Sequence, residues 1–138
     1  MKVRILLFVV ASLMLLACDP EEMPEPVALR AELVRVYDIV TKPDEPFTVS
    51  KRDGYYRCSF WTVLHKTGQK EETIRRLNAN YAGNRLSIMV EKINSEFPPG
   101  EIYRKVMVDF NLYGLPSGEY EVYVSDAVIP QGTKWVFE

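Results

Sequence analysis

The sequence predicts an all-β, antiparallel sandwich of about seven strands over residues 29–138. Three observations carry that expectation. Several β-prone runs alternate apolar and polar residues with period two, which sends successive side chains to opposite faces of a sheet. Between the runs lie Asp53-Gly54, Pro98-Pro99-Gly100 and Gly114-Leu115-Pro116-Ser117-Gly118, all residues that make turns. About seven such runs fall in roughly 110 residues, the density of a sandwich or barrel.

Taken in order, Leu29 to Thr41 is rich in Val, Ile and Tyr, but its apolar residues fall in both phases of alternation. A bulge or burial on both faces explains such a pattern. Phe47-Thr48-Val49-Ser50 leads through Asp53-Gly54 into Tyr55 to His65, a hairpin signal. In the second arm Tyr56, Cys58, Phe60 and Leu64 share one face, and Tyr55, Arg57, Ser59, Trp61, Val63 and His65 the other. Residues 70–79 fit a short helical turn and a strand equally. Glu71 with Arg75, and Glu72 with Arg76, have helical i,i+4 spacing, yet the run is short and lies between strand-like segments. Arg85 to Ile93 alternates cleanly, with Leu86, Ile88 and Val90 on one face. Ile102, Val106, Val108, Phe110 and Leu112 share the inner face of a long strand, with Tyr103, Lys105, Asp109 and Asn111 outward. Tyr120, Val122 and Val124 continue inward with Glu119 and Glu121 outward, and a last strand fits Lys134 to Phe137.

Leu112 to Val124 resembles the E-to-F region of fibronectin type III and other immunoglobulin-like domains, where a Leu, a Pro-Gly turn and a Tyr-x-Val-x-Val strand form a tyrosine corner. The resemblance implies that Tyr120 is the corner tyrosine, supported by Leu115 and Gly118. Similar turns occur in transthyretin-like sandwiches, so both superfamilies stay open. The immunoglobulin disulfide is missing, and burial alone must hold the domain together.

The N-terminus reads as an export signal. Lys2 and Arg4 precede an apolar run from Ile5 to Leu16, too short for the roughly 20 residues of a membrane span. The run ends Leu15-Leu16-Ala17-Cys18, which resembles the lipobox of bacterial lipoproteins. The resemblance implies cleavage between Ala17 and Cys18, lipid on the Cys18 thiol and acylation of the freed amine. The expected organisation is a signal peptide over 1–17, a lipidated cysteine and tether over 18–28, and the sandwich over 29–138. Asp19-Pro20-Glu21-Glu22-Met23-Pro24-Glu25-Pro26 favours an extended, solvated tether, reaching about 25 Å at roughly 3.1 Å per residue. Its acidic residues resemble the surface-export tails of Bacteroidota lipoproteins, although Pro20 interrupts the run. A generic acidic spacer explains them equally well, and in enterobacterial lipoproteins an aspartate after the cysteine implies inner-membrane retention instead. The expected location is the cell envelope, lipid-anchored at the outer membrane, with a surface-exposed position if the tail is an export signal.

Composition limits the function classes. The 138 residues are 47% hydrophobic and 26% charged, which suits one folded domain rather than a disordered chain. A formal net charge of −2, with two more positive charges leaving with Lys2 and Arg4, argues against nucleic acid as a partner. With one histidine and one cysteine beyond Cys18, a His- or Cys-rich zinc site within the chain is excluded, and no cofactor is expected. Cys58 and His65 lie about 23 Å apart along one strand, on opposite faces, at roughly 3.3 Å per residue. They form no nucleophilic dyad, and buried packing suits Cys58 better. Glu119 and Glu121 lie about 7 Å apart on one face, which solvated alternation explains more simply than a carboxylate-dependent hydrolase does.

The remaining functional signal is aromatic. Tyr55, Trp61, Tyr103 and Tyr123 face away from the inferred core of their strands and form a candidate ligand or partner surface. A second sheet or a loop covering them is the simpler alternative. The expected role is non-catalytic: binding, adhesion or an accessory part in an envelope complex. The membrane is reached through the lipid, and a protein or glycan is the partner.

Overall fold

The computed structural model describes residues 24–67, 69–95 and 102–138, with only the backbone of Thr67. Cys18 and the cleavage site between Ala17 and Cys18 lie outside the described residues. The described chain is all-β, with no helix among these residues. The strands are β1 (Val27–Asp38), β2 (Phe47–Arg52), β3 (Tyr55–Thr67), β4 (Lys70–Glu71), β5 (Thr73–Ala82), β6 (Arg85–Ile93), β7 (Ile102–Tyr113), β8 (Gly118–Val124) and β9 (Lys134–Phe137). The first strand starts at Val27, two residues before the expected domain boundary.

One continuous hydrogen-bonded path runs β2-β3-β7-β1-β5-β6-β8-β9, with β4 paired to the end of β3. It folds into two layers because β1 divides its length. Val27 to Leu29 pair with β5, whereas Arg30 to Asp38 pair with β7. The far edges of the path, β2 and β9, come back together through side chains. Trp135 Nε1 donates to the Phe47 carbonyl at 3.0 Å, and the Phe47 ring lies 5.4 Å from Trp135 and 6.3 Å from Phe137.

Alternation along each strand builds the core. Cys58 and Phe60 from β3, Val106 to Leu112 in alternate positions of β7, Leu86 and Ile88 from β6, Val124 from β8 and Phe137 from β9 are all almost fully buried. Burying each large apolar side chain contributes about 1.5–3 kcal/mol. Two hairpins turn on glycines with left-handed backbone: Gly54 at φ 84° and Gly83 at φ 59°. Gly83 stands first of the two loop residues between Ala82 and Arg85, where a tight hairpin needs positive φ.

Two alternatives left open by the sequence are decided, and three details differ from its expectation. Residues 70–79 contain no helical turn; they form β4 and most of β5. A bulge lies between Ile74 and Arg76, so the three-residue step from Ile74 to Leu77 keeps one face of a strand. The arginines of that run reach across to β6 rather than along a helix: Arg76 Nε lies 2.5 Å and Arg75 Nη1 3.6 Å from the Glu91 carboxylate. Strand number rises from about seven to nine for the same reason. The mixed phase of β1 likewise comes from a bulge, between Leu33 and Arg35. One pair departs from the antiparallel expectation, since β6 and β8 run parallel. Finally, Ile102 shares the parity of the β7 core residues but lies beyond the core, 67% exposed, while Asp109 and Asn111 on the outer face are buried.

Candidate functional site

The buried Asp109 and Asn111 mark the site, because an outward carboxylate and amide on a sheet face are normally left to water. Register explains their burial. On the outer face of the β2-β3-β7-β1 layer, Thr48, Ser59, Asp109 and Arg35 form one row across four strands. Ser50, Arg57 and Asn111 form the next row. Arg35 Nε donates to Asp109 Oδ2 at 2.5 Å, and Ser59 Oγ donates to Asp109 Oδ1 at 2.6 Å. Arg57 Nε donates to Asn111 Oδ1 at 2.6 Å. The long arginine stems therefore lie over the β7 side chains and shield them. Asp109 satisfies the charge and hydrogen-bonding demands of burial with two donors. The same hydrogen bond and negative charge hold the Arg35 guanidinium above its ordinary value.

These side chains line a groove of about 310 Å³, bounded by Arg35, Tyr37, Thr48, Val49, Ser50, Arg52, Arg57, Ser59 and Asp109. Three guanidiniums share it with one carboxylate. Arg57, which lines the groove, uses only Nε within the protein, and its Nη groups have no acceptor among the described residues. Arg52 has no ion-pair partner among the described residues. The Arg35 guanidinium carbon lies 4.5 Å from the centroid of the Tyr37 ring.

Tyr55, Trp61 and Tyr103 lie on this same outer face. Tyr55 is half-buried against Tyr113, with ring centroids 5.2 Å apart, and Arg30 stacks on the Tyr113 ring at 4.5 Å. Trp61 is half-buried beside Met107, its cross-strand partner. Tyr103 is 57% exposed, with the His65 ring 6.2 Å away. Along β3 the three positions spread over about 33 Å, at roughly 3.3 Å per residue. The polar groove lies beside the stretch between Tyr55 and Trp61. Tyr123 is 44% exposed on β8 in the other layer, beside Arg85. The four aromatics thus do not share one surface. Sequence reasoning missed Tyr37, Arg35, Arg52, Arg57, Asp109 and Asn111 as a group. The available signal was that Arg57 and Ser59 share an outward parity with Asp109 and Asn111; only the pairing of β3 with β7 makes them neighbours.

The Tyr120 hydroxyl donates to the Pro116 carbonyl at 2.8 Å, and Leu115 is buried beside it. Gly118 has φ 156°, and a Cβ there would stand in ordinary contact, 3.4 Å, with Tyr120 Cε2. Burial raises the Tyr120 phenol.

The groups considered for chemistry are otherwise engaged. Cys58 is fully buried, and burial pushes its thiol up to about 12 against a smaller opposing effect of Arg57. Glu119 faces Lys134 at 3.8 Å, and Glu121 accepts from the Gly132 amide at 3.1 Å. Among the described residues no group of three His, Cys, Asp or Glu side chains is placed to hold a metal ion, and no helix is long and apolar enough to cross a membrane. No family model, curated protein or solved structure matches the chain.

Proposed function

We propose that this chain is a lipid-anchored cell-envelope protein with a non-catalytic binding role, and that the outer face of the β2-β3-β7-β1 layer is its binding face. The observation that carries the second part is the groove, in which polar side chains of four adjacent strands converge and are held by buried partners on β7. A rigid sheet holds such groups with little freedom to lose on binding. The anchor rests on Lys2, Arg4, the apolar run and Leu15-Leu16-Ala17-Cys18, with the acidic tether carrying the domain away from the bilayer.

Two measurements test this reading. Cys18→Ser is expected to move the protein out of the membrane fraction; a variant that stays there overturns lipidation at that residue. A photo-crosslinking residue at Thr48, in the groove, is expected to give adducts in producing cells, whereas one at Met89 on the other layer gives none. Equal labelling at both positions, or none at Thr48, overturns the binding face.

A glycan-binding accessory role is the second reading. The exposed Tyr103 and the half-buried Trp61 on the groove's own face favour it, since flat rings stack on sugars.

A further inference from the structure

Resting on the binding face proposed above, we propose that the groove takes an acidic glycan, with its anionic groups on the guanidiniums of Arg57 and Arg52. Charge complementarity is the first argument. Three arginines share the groove with one carboxylate, and that carboxylate is already occupied by Arg35 and Ser59. In a chain of net charge −2, this is a local concentration of positive charge.

Geometry is the second. Arg57 is fixed through Nε to the buried Asn111, which leaves its Nη groups as donors for an external anion. A guanidinium fork already fixed in this way suits a planar carboxylate or a sulfate and loses little side-chain freedom on binding. Arg52, two residues along β2 from Ser50, adds a second cation on the same face.

The lining decides between an acidic glycan and an acidic peptide. Besides the arginines and Asp109, the groove is lined by Thr48, Ser50 and Ser59, by the Tyr37 ring under the Arg35 guanidinium, and by Val49, whose side chain shares the core-facing parity of Cys58. A peptide site needs an apolar pocket to anchor a side chain. Hydroxyls and guanidiniums match instead a ligand whose surface is hydroxyl and anion.

The full-length protein in detergent is tested by affinity electrophoresis in gels containing polygalacturonate, dextran sulfate or neutral dextran. Retardation is expected in an acidic gel and not in the neutral one, weakening as salt is raised. Polygalacturonate alone identifies a carboxylate ligand, and dextran sulfate alone a sulfated one. Arg57→Gln is expected to weaken binding about tenfold. Arg52→Gln, at a side chain with no partner in the described structure, is expected to weaken it about threefold without affecting folding. Equal retardation by neutral dextran, or unchanged binding by both variants, overturns the acidic-glycan assignment. If no glycan binds while crosslinking at Thr48 persists, the assignment fails and the binding face stands; if Thr48 also gives no adduct, both fail.

Discussion

The indole of Trp135 donates its N–H to the Phe47 carbonyl at 3.0 Å, across the seam where the hydrogen-bonded path ends. Phe47 is fully buried and stands first in β2, and Trp135 lies in β9, so this bond ties the two ends of the sheet together. Phe47 also touches Phe110 of β7, with ring centroids 6.4 Å apart, which couples the seam to the core.

Trp135→Phe keeps most of the apolar contact and removes the donor. It is expected to lower stability by about 1 kcal/mol, the usual net value of such a bond. Urea unfolding should show a lower midpoint with an unchanged slope. Wild-type stability in this variant would mean that apolar packing alone closes the seam.

Tyr120→Phe tests the contact with Pro116. The ring still fills its place against Phe137 and Tyr81, so only the hydroxyl bond is lost. A loss of about 1 kcal/mol, or roughly 5 °C in melting temperature for a domain of this size, is expected from thermal unfolding.

Cys58 is expected to be inert in the folded protein. The thiolate is the reactive form, and burial keeps the thiol protonated far above neutral pH. In the Cys18→Ser variant, a thiol reagent at about pH 8 should label nothing until denaturant is added. Rapid labelling of the native protein would contradict the packing described for β3.

Glu72 links stability to pH. Burial works to raise its carboxyl, but the Ser95 hydroxyl, the His65 amide and the Lys92 charge prevail and hold it below the ordinary value of 4.5. Ser95 Oγ donates to Glu72 Oε2 at 2.6 Å and the His65 amide to Oε1 at 2.7 Å. The folded protein therefore binds fewer protons here than the unfolded chain. The stabilisation is complete above the unfolded value and disappears as pH falls through the folded one. Glu72→Gln should be less stable than wild type near neutrality, with the gap narrowing as the pH falls below the ordinary carboxylate value of 4.5. A gap that stays constant as the solution is acidified would exclude this ionic contribution.

Much of the strand layout was legible because side-chain parity is a local property. Tyr56, Cys58 and Phe60 alternate with Arg57 and Ser59, and the structure buries the first set. The run 70–79 was ambiguous because a β-bulge adds one residue to a strand. The step from Ile74 to Leu77 then has helical spacing while keeping a strand's face. Glu71 and Arg75 could suggest a helix only while Glu91, the carboxylate that both Arg75 and Arg76 meet, was unplaced.

The sequence by itself determined the all-β class, the turns at Asp53-Gly54 and Gly114 to Ser117, and the inward faces of β3, β6, β7 and β8, since alternation and turn chemistry act over a few residues; the turn expected at Pro98-Pro99-Gly100 lies outside the described residues. Only the tertiary structure decided which strands are neighbours: the division of β1 between two layers, the parallel pairing of β6 with β8 and the register of β3 on β7. The groove depends on that second kind of information. Arg35 and Asp109 are 74 residues apart, and Arg57 and Asn111 are 54 apart. No local periodicity relates such pairs; they meet because burying the inner faces of the strands sets the register, and that register aligns the outer faces as well.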